Sequence, residues 1–316
     1  YMEEPNVMVY LMTGFLDSGK TQFLNFTLKQ DYFQIDGKTL LILCEEGEEE
    51  YDPMEMLKYG VVIERVEDQE DLTEEWLEEM DRKHEPERVV VEYNGMWKVS
   101  DFEALTLPEG WAIEQKLTTV DASTFQMYLT NLKPLFVEMV RDAELVLFNR
   151  CEDIKPLAGY RRSVKVVSPQ AEVIFEDENG EVENIFEDDV PYDLKAPVIE
   201  IAKEDYGIWY VDMMENPDRY KGKVVEFTAK VIKPRSFPSK VFLPGRMAMT
   251  CCADDTTFLG YVCRSPYASK LKPGDWIKVR AKVGFANVSV YRGEGPVLEA
   301  EHIETAQPIE ELVYFN

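Results

Sequence analysis

Residues 14–21 read Gly-Phe-Leu-Asp-Ser-Gly-Lys-Thr, a spacing of two glycines, a lysine and a hydroxyl residue that suits a bound polyphosphate. Gly14 and Gly19 permit backbone conformations that turn N–H groups inward on phosphate oxygens. The positive end of a helix beginning near Lys20 adds to that field. Lys20 would reach the β- and γ-phosphates, serving their charge rather than the core, and the Thr21 hydroxyl would ligate Mg²⁺. The candidate cradle is therefore Gly14, Phe15, Leu16, Asp17, Ser18, Gly19, Lys20 and Thr21.

Carboxylates supply the second half of such a site. Glu92 ends the apolar run RVVVE, and the carboxyl end of a core strand is where an open α/β sheet presents groups to a ligand. Glu92 is accordingly a direct or outer partner for Mg²⁺, and with Lys20 and Thr21 it forms the candidate catalytic set. The loop Cys44-Glu45-Glu46-Gly47-Glu48 follows another apolar run, and Glu45 is a candidate magnesium sensor within it. A separate soft-metal candidate lies far along the chain. Cys251 and Cys252, with Cys263, His302, Asp254 and Asp255, offer thiolate and imidazole ligands suited to zinc. The same cysteines also suit ordinary core packing.

The elements that must position these residues can be read from hydrophobic patterning. VMVYLMT, TLLILC, VVIE, RVVVE, KLTTVDA and ELVLFN are short, nearly continuous apolar runs, as in parallel strands buried on both faces. Helical patterns over Thr21–Lys29, Leu72–Met80 and Ser123–Met139 alternate with them, which predicts a layered α/β domain over residues 1–178 with a mainly parallel sheet. Residues 179–200 are acidic and loosely patterned, and read as a linker. In residues 201–316 a short helix near Tyr206–Glu215 precedes KVVEFTAKVI, MAMTCC, TFLGYVC, DWIKVRAKV and VLEAEHI, a pattern predicting a small OB-like β-barrel.

Charge and composition narrow the partners. Of 61 acidic side chains 46 lie in residues 1–200, against 18 of the 34 basic ones, so the first region is strongly anionic. Such a surface repels nucleic acid and anionic membranes. Lys221, Lys223, Lys230 and Arg235 near Phe227 and Phe237 read as the solvent face of a barrel rather than a nucleic-acid platform. No apolar run reaches the roughly eighteen residues a membrane helix needs, so no direct membrane insertion is expected. The five cysteines show no disulfide framework, and free thiols fit a cytoplasmic protein.

Taken together, these motifs resemble the CobW/HypB/UreG family of P-loop GTPases, the CobW branch most closely. GFLDSGKT resembles that branch's GFLGSGKT, and Cys44–Asp52 resembles its NEFGE loop. Glu92–Gly95 resembles its Glu-x-x-Gly segment, and Thr118–Ser123 its VVDA strand end. Phe148–Glu152 stands where a base-reading LNKxD falls, followed by Val166–Val173, which is similar to the family's LNPxA. The resemblance implies an α/β P-loop NTPase fold and binding of GTP or GDP with Mg²⁺, with the purine read by Asn149, Arg150 and Glu152. The implied activity is slow hydrolysis in a metal-homeostasis or transporter-associated switch. The branch's Cys-x-Cys-Cys motif is absent; VVIERVEDQEDLTEEW offers Glu64, Glu67 and Asp68 instead. Residues from about 201 onward resemble the soluble domain of YcgQ-like, permease-associated proteins, which implies association with membrane transport. The partners expected for the whole chain are a membrane permease or a metalloprotein client, and a second copy in a homodimer. Two alternatives stay open: a nonhydrolysing nucleotide-binding adaptor with relaxed base choice, and a metal-binding module built on Cys251 and Cys252.

Overall fold

The computed structural model describes residues 6–154, 157–183, 185, 190–250 and 255–313, and the chain divides into two compact units, Tyr1–Ile185 and Phe186–Asn316. In the first unit, strands β1 (Val7–Thr13), β2 (Thr39–Leu43), β3 (Val61–Arg65), β4 (Arg88–Glu92), β5 (Trp111–Asp121), β6 (Leu145–Asn149) and β7 (Glu172–Asp177) are parallel. Their order is β3-β2-β4-β1-β5-β6-β7, with β8 (Gly180–Glu181) antiparallel at the edge. Helices α1 (Lys20–Thr27), α2 (Pro53–Leu57), α3 (Glu74–His84), α4 (Val99–Glu103), α5 (Phe125–Asn131), α6 (Lys133–Val140) and α7 (Leu157–Lys165) connect the strands.

The continuous apolar runs are explained by two cores. Val9, Leu11, Ile42, Val91 and Phe148 pack with Leu77 of α3, Phe102 of α4 and Phe136 of α6. The alternate positions Met12, Leu41, Leu43 and Val90 meet Leu24 of α1, Leu28 at its C-cap and Met56 of α2. A strand buried on both faces has no use for polar alternation. Helix α3 starts where the Thr73 hydroxyl accepts from the Trp76 N–H at 3.1 Å, and its last turn carries Arg82, Lys83 and His84, as the helix dipole favours.

Three local readings differ from the structure. The single helix expected over Ser123–Met139 is two, because Leu132 leaves helical geometry with φ −129° and Pro134 lacks the N–H to continue the ladder. Strand β5 begins at Trp111 rather than Lys116, and its first residues pair with β1 across an irregularity at Val9/Tyr10. Within residues 179–200, β8 pairs with β7, Val182 and Ile185 pack on the first core, and Ile199–Glu200 pairs with a strand of the second unit.

That second unit contains β9 (Ile199–Glu200), α8 (Tyr206–Glu215), β10 (Val224–Ile232), β11 (Val241–Met249), β12 (Thr256–Gly260), β13 (Val262–Arg264), β14 (Trp276–Val288) and β15 (Gly293–Thr305). Strand β10 pairs with both β11 and β14, so β10-β11-β13-β15-β14 closes into a five-stranded barrel with β13–β15 its parallel pair, the OB-like architecture expected. Its core includes Trp209, stacked obliquely on Phe227 at 4.6 Å and edge-on to Tyr261. The first half of β11 escapes a sequence reading because Pro244 and Gly245 interrupt it. Gly245 is required there, since a Cβ would lie 2.2 Å from the Leu259 carbonyl oxygen. No helix among the described residues is long and apolar enough to cross a membrane.

Candidate functional site

The carboxyl ends of β1, β2, β4, β5 and β6 lie along one edge of the first unit's parallel sheet, and β1 sits between β4 and β5. That edge gathers the phosphate loop Gly14–Thr21 with Glu45, Glu92 and the turn Asn149–Glu152. The loop leaving β1 turns at Gly14 (φ 143°) and Gly19 (φ 97°), with Asp17 left-handed at φ 56° between them. A Cβ on Gly14 would lie 2.5 Å from the Thr119 carbonyl oxygen, and one on Gly19 would lie 2.5 Å from Asn149 Nδ2. Asp is among the few side chains that tolerate the left-handed region, so it can stand where a glycine would otherwise be needed. Gly19 then caps α1 and aims the helix N-terminus into the loop.

Lys20 is only 3% exposed, and its Nζ donates to the Gly14 carbonyl at 2.7 Å, to the Phe15 carbonyl at 2.9 Å and to Glu45 Oε2 at 2.6 Å. The ammonium is thus integral to the loop's packing. Phe15 contributes its carbonyl; its ring is buried and stacks on Tyr128 at 4.2 Å. Leu16 is exposed. The Ser18 hydroxyl pairs with that of Thr119 at 2.9 Å, fixing the loop to β5.

Thr21 Oγ1 donates to Glu92 Oε1 at 2.7 Å, and the Tyr51 hydroxyl donates to Glu92 Oε2 at 2.5 Å. Register brings the pair together: Glu92 lies beside Met12 of β1 and Leu43 of β2. Burial raises the Glu92 carboxyl above its ordinary range; the Thr21 and Tyr51 hydrogen bonds and Lys20 pull it back, and Glu45 pushes it up again. Hard oxygen donors from a hydroxyl and a carboxylate suit Mg²⁺. Glu45 is engaged elsewhere, on Lys20 and on the Gly95 N–H at 3.1 Å. Gly95 must be glycine, because a Cβ would lie 2.6 Å from the Gly14 carbonyl oxygen.

The third part is the turn after β6. Asn149 Nδ2 donates to the Ser18 carbonyl at 2.8 Å, while its Oδ1 is a buried acceptor without a partner among the described residues. Arg150 Nη1 donates to the Asp17 carbonyl at 2.9 Å and to Asp121 Oδ2 at 2.5 Å, tying three loops together. Glu152 is exposed on the same turn. Tyr51 and Asp121 were not among the residues singled out from sequence. A lone aromatic inside the acid run Glu48–Asp52 is the signal that marks Tyr51, since it is the side chain of that run suited to burial.

The other sequence candidates do not converge where they fall among the described residues. Cys251, Cys252 and Asp254 lie outside the described residues. Cys263 is buried, its thiol pushed up by burial, and pairs with Leu298 of β15. His302 is exposed and pairs with Arg280, further along that strand. Among the described residues no group of three or more His, Cys, Asp or Glu side chains could hold a metal ion. Glu64 is taken by Lys83 Nζ and His84 Nε2, each at 2.7 Å.

Two family models match the chain. Residues 178–315 match the DUF1980 C-terminal domain, a span that takes in the acidic segment from residue 179. Residues 8–175 match the CobW/HypB/UreG nucleotide-binding domain. Among solved structures, the hydrogenase maturation factor HypB from Archaeoglobus fulgidus is 16% identical, with 55% of this chain and 83% of that chain covered and a TM-score of 0.39. Zn(II)-bound YjiA GTPase from E. coli is 17% identical, with 82% and 89% covered and a TM-score of 0.41. No curated protein matches the chain. With the phosphate-loop geometry and more than half of its length matched by one model, the chain belongs to the CobW/HypB/UreG family through its nucleotide-binding domain.

Proposed function

We propose that the first unit binds GTP and GDP with Mg²⁺ and hydrolyses GTP slowly, acting as a metal-homeostasis or transporter-associated switch. The observation that carries this reading is the meeting of Lys20, Thr21, Glu92 and Asn149 at one sheet edge around a loop turned by Gly14 and Gly19. The residues fit the group they would hold. Main-chain N–H groups of Asp17–Lys20 and the Lys20 ammonium would hold the phosphates, and Thr21 and Glu92 would hold magnesium. Asn149, Arg150 and Glu152 would meet the base. Bound Mg²⁺ supplies charge neutralisation on the phosphate oxygens. The chain's own part is positioning: Tyr51 orients Glu92, and Arg150 holds the base-reading turn against the phosphate loop.

The strongly acidic first region favours nucleotide arriving as its magnesium complex and disfavours nucleic acid. A permease partner is part of the proposal through the resemblance of the second unit to permease-associated domains; a metalloprotein client and a homodimer are proposed with it as partners of the switch. Calorimetric titration with GTP, ATP and their diphosphates, with and without Mg²⁺, tests the reading. Magnesium-dependent binding of guanine nucleotides supports it, and absence of binding by any of the four removes it.

A further inference from the structure

The Lys20 ammonium has three N–H donors and all three are used. Two go to carbonyls of its own loop; the third goes to Glu45, the single anion of the three acceptors. Glu45 uses its other oxygen to accept from the Gly95 N–H in the loop after β4. Its carboxylate therefore bridges the phosphate-binding lysine and a backbone amide on the magnesium side of the cradle, donors that suit a terminal phosphoryl group. Both partners are nearly excluded from solvent, at 3% and 9% side-chain exposure, so the attraction is weakly screened.

The segment bearing Glu45 is held from both ends. Cys44 donates its N–H to the Glu92 carbonyl at 2.9 Å and accepts from Asn94 Nδ2 at 3.1 Å. On the other side the Glu48 N–H donates to Asp17 Oδ1 at 3.1 Å. Gly47 passes so close that a Cβ would lie 2.7 Å from that same oxygen. Asp17 is the residue by which this phosphate loop differs from GFLGSGKT, and its carboxylate latches the acidic loop onto the cradle.

We propose that Glu45 is an internal competitor for the terminal phosphate, so that the site favours nucleoside diphosphate over triphosphate and a triphosphate binds by displacing the Glu45–Glu48 loop. This rests on the nucleotide reading above and adds its regulation. A diphosphate's β-phosphate would take Lys20 donors from the Gly14 and Phe15 carbonyls and leave the Lys20–Glu45 pair in place; a γ-phosphate would compete for the donor that Glu45 holds, and two anions cannot share it at that distance. The displaced carboxylate carries Glu46 and Glu48 outward with it, which makes the loop the element that reports nucleotide state.

The test is titration of the full chain with GDP and with the nonhydrolysable analogue guanosine 5′-(β,γ-imido)triphosphate, in Mg²⁺ and in EDTA. Glu45→Gln keeps the size and the acceptor for Gly95 while removing the charge. We expect it to tighten analogue binding about tenfold or more while GDP affinity changes less than about threefold. Asp17→Gly removes the latch without touching the ion pair, and should shift the ratio in the same direction by about threefold. An unchanged ratio in both variants overturns the proposal. So does weaker analogue binding by Glu45→Gln confined to the Mg²⁺ arm, which would make Glu45 a magnesium ligand. Failure of the parent to bind either nucleotide overturns the underlying reading itself, and is separable because it precedes any comparison of variants.

Discussion

Asn149 Nδ2 donates to the Ser18 carbonyl oxygen at 2.8 Å, although 131 residues separate the two in sequence. The bond ties the turn after β6 to the phosphate loop, so on the nucleotide reading proposed above the placement of a purine and of its phosphates would be coupled. A single side chain on that turn can then decide base choice. Guanine presents N1–H and N2–H₂ donors where adenine presents no N1 donor, and Glu152 is the carboxylate available to accept them. Glu152 is exposed on its turn, so the penalty for an unmatched base applies to the extent that a bound base covers it; with a donor left unsatisfied on burial costing roughly 1–3 kcal/mol, we expect GTP over ATP by about tenfold. Glu152→Ala should erase most of that margin and Glu152→Asp should keep it. Equal affinities for the two triphosphates in the parent would sink the guanine assignment.

Gly19, the N-cap of α1, lies against the same contact. With φ at 97° and a Cβ that would fall 2.5 Å from Asn149 Nδ2, Gly19→Ala strains the backbone and pushes the amide off Ser18. The expected outcome is loss of at least about tenfold in nucleotide affinity, with a stability loss of about 1–3 kcal/mol. Denaturant unfolding beside calorimetry separates the two, and unchanged affinity in a folded variant would count against the cradle.

Lys20 was expected from sequence to serve phosphate rather than the core, and its burial changes the prediction. Lys20→Ala strands the Glu45 carboxylate and two carbonyls, so the variant should lose roughly 3 kcal/mol of stability along with nucleotide binding. Lys20→Met combined with Glu45→Gln should recover most of the stability and none of the binding. If thermal unfolding shows the single variant as stable as the parent, the ion pair contributes nothing to the fold.

A pH effect follows from Glu64. Burial is the largest single influence and would raise its carboxyl, but the hydrogen bonds and charges of Lys83 and His84 together outweigh it and hold the group below the ordinary value of 4.5. A carboxyl lowered in the folded state contributes stability that is present above the unfolded value and lost as pH falls through the folded one. Glu64→Gln should therefore be less stable than the parent by about 0.5 kcal/mol near neutrality, with the gap closing below pH 4.5. A gap that persists undiminished at acid pH would assign the loss to packing rather than charge.

The phosphate loop, its strand and helix, and the order of motifs were legible in the sequence because each is local. The two glycines, the lysine and the threonine fall within eight consecutive residues. The apolar runs likewise report burial on two faces, which fixes a parallel sheet flanked by helices. The OB-like barrel was legible as a class, while strand ends such as Val241 and Trp111 were not, because Pro244, Gly245 and the alternation in WAIEQ obscure the apolar run.

The tertiary structure alone decided what the acidic residues do. In sequence Glu45, Glu46, Glu48, Glu49 and Glu50 are one undifferentiated run, and Glu45 was assigned to magnesium on the strength of its neighbourhood. Strand register brings Glu92 to Thr21, and the fold of the loop after β2 carries Glu45 to Lys20 and Gly95, contacts spanning 71, 25 and 50 residues. Tyr51 and Asp121 acquire their roles the same way, from neighbours that no sequence spacing places beside them. Local propensity fixes which element a residue joins. Which charge stands within hydrogen-bonding distance of which other is settled when the sheet closes its register and two loops are forced to share the space above it.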